Sequence, residues 1–291
     1  MRAARGRAGL TGDDHARDRL ITAGWAALSR ARGTLAWTPA FERAVADLQA
    51  ALSDNDVPGP VWYPPVMPFA DAERAGYAES FLNLIGVVHA LPDQVPGGAT
   101  APFAQTDAVL IPAMCYHVYP SLAGQGITGS AAFDLAGYCY RHERSDEPGR
   151  LRSYRVRERV FIAAADAALA WRDEQLRRAC ARLRELGLPV QAETAADPFF
   201  GHGERLMRSA QLEQELKFEL VGKVYDGDPG TALASVNYHK DHFGAAFDIS
   251  VVGQGTAHSA CLGFGLERVV LALILEHGDN RQNWPCLGTA R

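Results

Sequence analysis

Long hydrophobic runs are missing from this sequence of 291 residues. Crossing a bilayer takes about 20 consecutive apolar residues, and no stretch of the chain reaches that length. The first thirty residues are rich in Arg and Ala but lack the apolar core of a secretory signal peptide. The sequence therefore predicts a cytoplasmic protein in which residues 1–30 form a flexible leader that includes a short helix at 18–29.

Cysteine is scarce, with five residues at positions 115, 139, 180, 261 and 286. An odd number in a chain of this size argues against a disulfide framework, and no Cys-x-x-Cys spacing marks a local zinc motif. Composition alone favours each cysteine as a small, buried apolar residue. Hydrophobic residues make up 47% of the chain, which is enough for a substantial core.

An excess of positive charge is also absent, because the formal net charge is -5. Phosphate contacts require clustered Lys and Arg, so this balance argues against general nucleic-acid binding. Arginine is nevertheless concentrated in a predicted helix at 163–186, at positions Arg172, Arg177, Arg178, Arg182 and Arg184. This helix has two interpretations: an ordinary amphipathic helix with a solvated basic face, or a docking surface for an acidic partner.

The glycine fingerprint that opens a dinucleotide-binding βαβ unit is missing as well. Three predicted strands, at 216–224, 231–239 and 245–252, instead follow one another with only short turns between them. Consecutive strands followed by a closing helix indicate an antiparallel sheet in an α+β fold. Further helices are predicted at 41–52, 72–84 and 163–186, and further strands at 61–67, 86–91 and 108–112.

One segment, residues 138–158, has the pattern of a basic hairpin. A short aromatic run leads to Arg141 and Glu143, and alternation with period two places them on one face of the first strand. Arg150 and Arg152 fall at the turn-rich tip. Guanidinium groups bind phosphate oxygens through charge-assisted bonds, so the hairpin suits a polyphosphate. A solvated, salt-bridged hairpin without a ligand is the alternative interpretation.

A second segment, residues 258–268, runs through two glycines at alternate positions into Glu267 and Arg268 and then into an apolar helix. Together, the two segments resemble motifs 2 and 3 of class II aminoacyl-tRNA synthetases. The resemblance narrows to the amino acid:[carrier protein] ligases, truncated relatives of the atypical zinc-containing seryl-tRNA synthetases. It extends over residues 30–285 and includes segments 76–81, 112–120, 197–201, 216–220 and 237–244.

This resemblance implies the class II catalytic fold, a mostly antiparallel sheet flanked by helices, as a single domain at 31–291 that lacks a tRNA-binding domain. It implies a homodimer, with residues 61–67 at the interface. It also implies a zinc ion held by Cys115, Glu158 and Cys261, whose fourth position receives the α-amino group of the substrate. The remaining cysteines have no counterpart in the family and are interpreted as structural.

The implied reaction is the attack of an amino acid carboxylate on the α-phosphorus of ATP, assisted by Mg²⁺, followed by transfer to the phosphopantetheine thiol of an acidic carrier protein. By resemblance, Arg141 and Arg268 are the catalytic arginines. The other ATP contacts implied are Glu143, which reads the adenine amino group, Arg150 or Arg152 on the β- and γ-phosphates, and Glu219 and Asn237 at magnesium or ribose positions. Glycine or alanine is the expected substrate.

The chain departs from the family pattern at Arg159, where an aromatic residue is expected to stack on adenine. Either the guanidinium of Arg159 stacks there, or Phe161 supplies a ring in a shifted register. Lys217 suits an exposed strand lysine as well as a site residue. His239 and His242 are interpreted as strand-end histidines outside the chemistry, and His258 as hydrogen-bonded near the metal without binding it.

Two other functions fit the same motifs. One is a seryl-tRNA synthetase-like enzyme that charges an RNA, although the net charge makes tRNA a poor fit. The other is an inactive synthetase paralogue that acts as a sensor or binding protein. The presence of Arg141, Glu143, Arg268 and the three metal positions counts against an inactive paralogue, whereas Arg159 counts for it.

Overall fold

The computed structural model describes residues 12–53, 59–91, 102–143, 145, 147–199 and 204–287. Its α-helices are α1 Gly12–Thr22, α2 Pro39–Ala51, α3 Phe69–Arg74, α4 Tyr77–Ser80, α5 Val118–Ser121, α6 Ala165–Glu185, α7 Glu204–Glu213, α8 His242–Phe247 and α9 Leu266–His277. Two 3-10 helices span Met114–His117 and Arg281–Asn283.

The strands of the described residues are β1 Ala26–Leu28, β2 Leu35–Trp37, β3 Val61–Trp62, β4 Val66–Pro68, β5 Gly86–Ala90, β6 Ala104–Leu110, β7 Gly126–Ile127, β8 Ala131–Tyr140, β9 Ser153–Ala163, β10 Gln191–Thr194, β11 Lys217–Gly222, β12 Thr231–Lys240, β13 Ser250–Val251, β14 Gly255–Thr256 and β15 His258–Gly265. Seven of them form the central sheet in the order β10-β11-β12-β15-β9-β8-β3. All neighbours in it are antiparallel except the edge pair β3 and β8. The predicted α+β fold is confirmed.

The basic hairpin is confirmed as β8 and β9, which pair from Ala131↔Ile162 to Tyr140↔Ser153. On its other side β9 pairs with β15, which places Gly263 opposite Glu158. The two segments that resemble synthetase motifs are therefore neighbours at the centre of the sheet, although they are far apart in sequence.

The two faces of the sheet are covered differently. Leu262 and Phe264 of β15 belong to a core with residues of α2, α6 and α9. Cys261, one residue away, belongs to a second core that includes Met114 and Phe247. Because side chains alternate along a strand, β9 likewise directs Glu158 to the second face and its odd-numbered residues to the first.

Several predicted elements are wrong in type or extent. The helix expected at 18–29 ends at Thr22, and Ala26–Leu28 forms a strand that pairs with β2. The helix expected at 72–84 is broken at Gly76, whose φ of 73° is left-handed and terminates α3. The strand expected at 245–252 begins within the short helix α8, which ends at Phe247, and only Ser250–Val251 is a strand.

Helix α8 packs closely against another segment of the chain at Gly244. A Cβ at Gly244 would lie 2.0 Å from the carbonyl oxygen of Ala257, so only glycine lets α8 pack this closely against the segment before β15. The strand expected at 61–67 is two short strands, β3 and β4, which belong to different sheets. The remaining predicted elements are confirmed with shifted ends. Among the helices that the structure describes, none is both long enough and apolar enough to cross a membrane.

Candidate active site

A cavity of about 490 Å³ lies on the second face of the sheet. Residues of α4, the first 3-10 helix, α7, α8 and the strands β9, β11, β12 and β15 line it. Most predicted site residues meet there, namely Arg141, Cys115, Glu158, Lys217, Glu219, Asn237, Cys261 and Arg268. Cys115 and Cys261 are buried together with Glu158.

Arg141 lies just beyond the end of β8 rather than on the strand. Its backbone N–H donates to the carbonyl of Arg152 at 2.9 Å, which extends the hairpin by one pair. Its Nε donates to the carbonyl of Pro112 at 3.2 Å, and its guanidinium lies 6.0 Å from the ring centre of Tyr154. These contacts hold the cation at the cavity wall.

Arg268 occupies the first turn of α9 and connects three parts of the chain. Its Nε donates to the carbonyl of Gly149 at the hairpin tip at 2.7 Å, and its Nη1 donates to the carbonyl of Ala232 in β12 at 2.9 Å. Burial lowers the pKa of this guanidinium from its usual value, but an arginine remains charged under physiological conditions. The cavity therefore holds two fixed positive charges, on Arg141 and Arg268.

Cys115, Glu158 and Cys261 form a compact set of three ligand atoms that lie within 4.8 Å of one another. They come from the first 3-10 helix, from β9 and from β15, and the backbone N–H of Cys115 donates to Oε2 of Glu158 at 3.1 Å. Two thiols and a carboxylate at this separation are the donor types that bind zinc. The cluster is also the one candidate metal group found among the described residues.

The thiols of this cluster are protonated in the absence of a metal. The hydrogen bond with Cys261 and burial raise the pKa of Cys115 well above its usual value. At Cys261 the hydrogen bond with Cys115 acts in the opposite direction, but burial and the nearby Glu158 leave its pKa raised. Because a metal ligand must be a thiolate, a bound cation would have to displace these protons.

Two polar side chains contact the cluster from β12. Asn237 Nδ2 lies 3.5 Å from Cys261 Sγ, and His239 Nε2 lies 3.6 Å from the same sulfur. His239 Nδ1 lies 3.1 Å from Ser259 Oγ. Both His239 and His242 line the cavity, which the sequence interpretation did not expect. His258 is hydrogen-bonded as expected, with its Nδ1 2.6 Å from the Tyr238 hydroxyl. It does not line the cavity and alternates with Cys261 along β15, so its expected position near the metal ligands is wrong.

The tip of the hairpin lies outside the cavity lining. Arg152 Nε donates to the carbonyl of Glu143 at 2.8 Å, and the Arg152 backbone N–H donates to the carbonyl of Gly33 at 2.8 Å. Arg150 is largely exposed, with its Nε 3.8 Å from Glu147 Oε2. The structure thus places Arg150, Arg152 and Glu143 beside the site but not in its wall.

Arg159 and Phe161 do not reach the cavity, so the prediction that one of them contacts adenine is wrong. Both are odd-numbered residues of β9 and face α2 and α6. Arg159 Nη2 donates to the carbonyl of Leu52 at 2.6 Å, and Phe161 stacks on Trp171 at 5.4 Å. Tyr154 lines the cavity near Arg141 instead. Tyr154 and Glu158 are both even-numbered residues of β9, so the alternation of side chains along the strand places them on the same face.

Lys217 is buried, not an exposed strand lysine. Its Nζ lies 2.6 Å from Asp197 Oδ1 and 3.0 Å from Glu219 Oε1. Despite burial, these two carboxylates leave the pKa of Lys217 raised, and Lys217 holds the pKa of Asp197 below its usual value. Gln211 of α7 donates from Nε2 to Asp197 Oδ2 at 2.9 Å, which connects α7 to this ion-pair cluster.

The basic face predicted for α6 is largely engaged within the fold. Arg172 is 6% exposed, pairs with Asp173, and its guanidinium lies over the ring of Phe218. Arg182 donates twice to the carbonyl of Ala51 and pairs with Glu185. Docking through these two arginines is contradicted by the burial of Arg172 and by the contacts of Arg182 within the fold.

Arg177 and Arg178 of α6 are exposed, but they lie on the opposite side of the sheet from the cavity. Arg177 pairs with Glu174, and Arg178 lies beside it. No residue of α6 lines the cavity, because the helix packs on the opposite face of the sheet.

Comparison with solved structures identifies the fold as that of class II aminoacyl-tRNA synthetases. The chain is 20% identical to M. kandleri SerRS, solved in complex with A. aeolicus tRNASec, with a TM-score of 0.77 over 93% of this chain and 58% of that one. The seryl-tRNA synthetase of Pyrococcus horikoshii, complexed with ATP, gives 14% identity and a TM-score of 0.65 over 90% and 58%. The chain thus spans little more than half the length of these synthetases.

Curated relatives then identify the family. Amino acid–[acyl-carrier-protein] ligases 2 and 1 of Bradyrhizobium diazoefficiens are 37% and 36% identical to this chain. Both matches span 87% of this chain, and they span 80% and 82% of the length of the two ligases, respectively. The chain belongs to the amino acid–[acyl-carrier-protein] ligase family. The type-2 serine–tRNA ligase of Methanococcus aeolicus is 28% identical over 61% of this chain but only 36% of its own length. No family model matches the chain.

Proposed function

We propose that this protein activates a small amino acid with ATP and transfers it to the phosphopantetheine thiol of a carrier protein. The observation that carries the proposal is that one cavity contains both a Cys/Glu/Cys ligand set and two partly buried arginines, Arg141 and Arg268. The names of the curated relatives support the same ligase activity.

Cys115, Glu158 and Cys261 would hold a zinc ion, which their donor chemistry and separation fit. When bound there, zinc would supply a Lewis-acidic position for the α-amino group of the substrate. Asn237 would support Cys261 through its hydrogen bond to that sulfur. The cluster would therefore select substrates that carry a free amine.

The arginines would contribute charge neutralisation and positioning. Arg141 would bind the substrate carboxylate and the α-phosphate, and Arg268 the far end of the triphosphate. The carboxylate oxygen attacks the α-phosphorus and pyrophosphate leaves, so no protein nucleophile is required. Tyr154, beside Arg141, would stack on adenine in place of Arg159 or Phe161. Glu219 and Asn237 would hold magnesium with the phosphates.

A small amino acid is favoured because aromatic rings crowd the cluster. Tyr119 and Phe243 stack at 3.9 Å, and Tyr116 and His239 each pack edge-on against Phe243. We propose that these rings limit the space for a substrate side chain beside Cys115 and Cys261. We propose glycine or alanine as the substrate.

The carrier arm must reach this cavity, so its docking surface must adjoin the cavity mouth. Helix α7 does adjoin it: Met207, Ala210 and Gln211 line the cavity, as their helical spacing on one face requires. Its outward residues are exposed and combine positive charge with apolar surface, namely Arg205, Leu206, Arg208 and Leu212. We propose that this outer face of α7, rather than α6, contacts the acidic carrier. The thiolate of the arm then attacks the acyl carbon, and AMP leaves.

The decisive test is amino-acid-dependent exchange between ATP and pyrophosphate, measured on zinc-loaded and chelated protein. Exchange with glycine or alanine that is lost on chelation and restored by zinc supports adenylation at this site. Cys115→Ser and Cys261→Ser should abolish both zinc content and exchange, whereas Cys286→Ser, at an exposed position, should preserve both.

The acceptor is tested separately with radiolabelled amino acid. Label on a phosphopantetheinylated carrier that hydroxylamine releases identifies a thioester. Label on tRNA instead would favour the synthetase-like alternative, and no exchange with any amino acid by folded, zinc-loaded protein would favour an inactive paralogue.

A further inference from the structure

The hydroxyl of Tyr77 is a buried polar group without a partner. The residue is 5% exposed and lines the cavity. Within the described residues, no donor or acceptor lies within hydrogen-bond distance of its oxygen. Buried hydroxyls nearly always have a partner, and one left unpaired destabilises the folded state. An unpaired hydroxyl in the wall of a ligand cavity therefore points to a partner on the ligand.

The ring of Tyr77 is fixed by its surroundings. It packs against Phe81 at 5.1 Å and against the edge of Tyr116 at 5.6 Å. The left-handed Gly76 turns the chain from α3 into α4 directly before it, and the Nε2 of His242 lies 3.0 Å from the carbonyl of Ala75 at the same turn. The hydroxyl is thus presented by a rigid wall and not by a free side chain.

The position of Tyr77 relates the two halves of the site. Its ring touches Tyr116, which directly follows Cys115 of the ligand cluster. The Arg141 guanidinium and the Tyr154 hydroxyl are both near enough to influence the pKa of its hydroxyl. Burial raises the pKa of Tyr77, with Arg141 opposing the shift, so the hydroxyl keeps its proton at neutral pH and can donate it. An amino acid bound by its amine at the cluster and by its carboxylate at Arg141 would pass this hydroxyl.

We propose that Tyr77 is a substrate-binding residue whose hydroxyl donates a hydrogen bond to an anionic oxygen at the point where the acyl phosphate forms. The amino acid carboxylate and the α-phosphate of ATP both carry such an oxygen. The inference rests on the proposed adenylation, and it gives a chemical role to the Gly76-Tyr77 segment, which the sequence analysis matched to the family without assigning it a role.

The test is Tyr77→Phe, which removes only the hydroxyl and keeps the packed ring. Tyr138→Phe is the matched control, because Tyr138 is half-exposed and lies on the face of the sheet away from the cavity. Pyrophosphate exchange gives kcat and separate KM values for amino acid and ATP. Melting temperature is measured with and without a non-hydrolysable glycyl-sulfamoyl adenylate.

Tyr77→Phe should melt at or above the wild-type temperature without ligand, because it loses a hydroxyl that has no partner. Its kcat/KM should fall roughly ten- to hundredfold, and its melting-temperature shift with the analogue should shrink. A rise in KM for the amino acid identifies the carboxylate as the acceptor. A rise in KM for ATP identifies the α-phosphate, and a fall in kcat alone indicates a bond made only in the transition state.

Wild-type kinetics and a wild-type shift in Tyr77→Phe would overturn the inference. So would a lower melting temperature of the ligand-free variant together with unchanged kcat and KM values, since that indicates a structural hydroxyl. If wild-type protein itself shows no exchange, the proposed function fails and not merely the role of Tyr77.

Discussion

Glu267 accepts two hydrogen bonds from Arg155, from its backbone N–H at 2.8 Å and from its Nε at 2.7 Å. Arg155 also donates from Nη1 to Glu42 of α2 at 2.6 Å. One buried carboxylate thus connects the first turn of α9 to β9, the strand that carries Glu158. The next residue, Arg268, reaches the cavity, so this ion pair helps to position the cation that we propose binds the triphosphate.

Removing this carboxylate should destabilise the fold. Glu267→Ala leaves Arg155 buried with only Glu42 as its charged partner, and losing one member of a buried pair costs about 3–5 kcal/mol. Urea unfolding measures the change. Asp226→Ala, which breaks the exposed pair between Arg19 and Asp226, should change stability far less. Equal losses in the two variants would contradict the structural role assigned to Glu267.

Zinc affinity should weaken steeply as the pH falls. Both thiol pKa values are raised in the metal-free protein, so both thiols are protonated at neutral pH and binding releases two protons. Each unit decrease in pH should therefore weaken apparent binding by about 100-fold. Chelator competition at several pH values and proton release in weakly buffered solution test this. A pH-independent affinity would show that the thiols are not the ligands.

Tyr154 should matter to ATP binding and Arg159 should not. Tyr154→Leu removes the ring that faces the cavity and should raise the KM for ATP roughly tenfold, since stacking on a base contributes about 1–3 kcal/mol. Arg159→Gln alters a side chain on the opposite face and should leave this KM unchanged. The reverse outcome would restore the original interpretation of Arg159.

Charge reversal should distinguish α7 from α6 as the docking surface for the carrier. Arg205→Glu with Arg208→Glu should slow transfer to the carrier about tenfold at low salt while sparing pyrophosphate exchange, because complementary charge mainly increases the rate of encounter. Arg177→Glu with Arg178→Glu is the matched pair on the opposite face of the sheet and should not slow transfer. Slower transfer in only the second pair would return the docking surface to α6.

The edge strand β3 should form a dimer interface. It ends the central sheet with Val61 and Trp62, each 54% exposed, and an apolar sheet edge is prone to pair with another chain. Trp62→Glu should convert a dimer to a monomer in light scattering during size-exclusion chromatography. Val252→Glu, at an exposed apolar residue in the turn after β13, should leave the dimer intact. A wild-type monomer at micromolar concentration would contradict the prediction.

Patterns of neighbouring residues predicted the elements whose structure depends mainly on local sequence. Alternation gave the β8–β9 hairpin, and the apolar run after Arg268 gave α9. The same alternation places Tyr154 on the face of Glu158, whereas the resemblance to the family pointed to position 159, on the other face. Other features depended on tertiary contacts that sequence spacing does not encode. Residue 244 must be glycine because α8 packs against the carbonyl of Ala257, and the charge of buried Lys217 is paired with Asp197, which lies 20 residues away in the sequence.

The separation of Cys115, Glu158 and Cys261 along the chain has a consequence for how the protein matures. A local zinc motif can capture its ion as soon as a short peptide leaves the ribosome. The zinc ion that we propose would need the 3-10 helix, β9 and β15 to be assembled first, so it would bind all three residues only after the central sheet had formed. Metal content would then report on the completed tertiary fold, and chains that misassemble this sheet would be distinguishable by their failure to retain the ion.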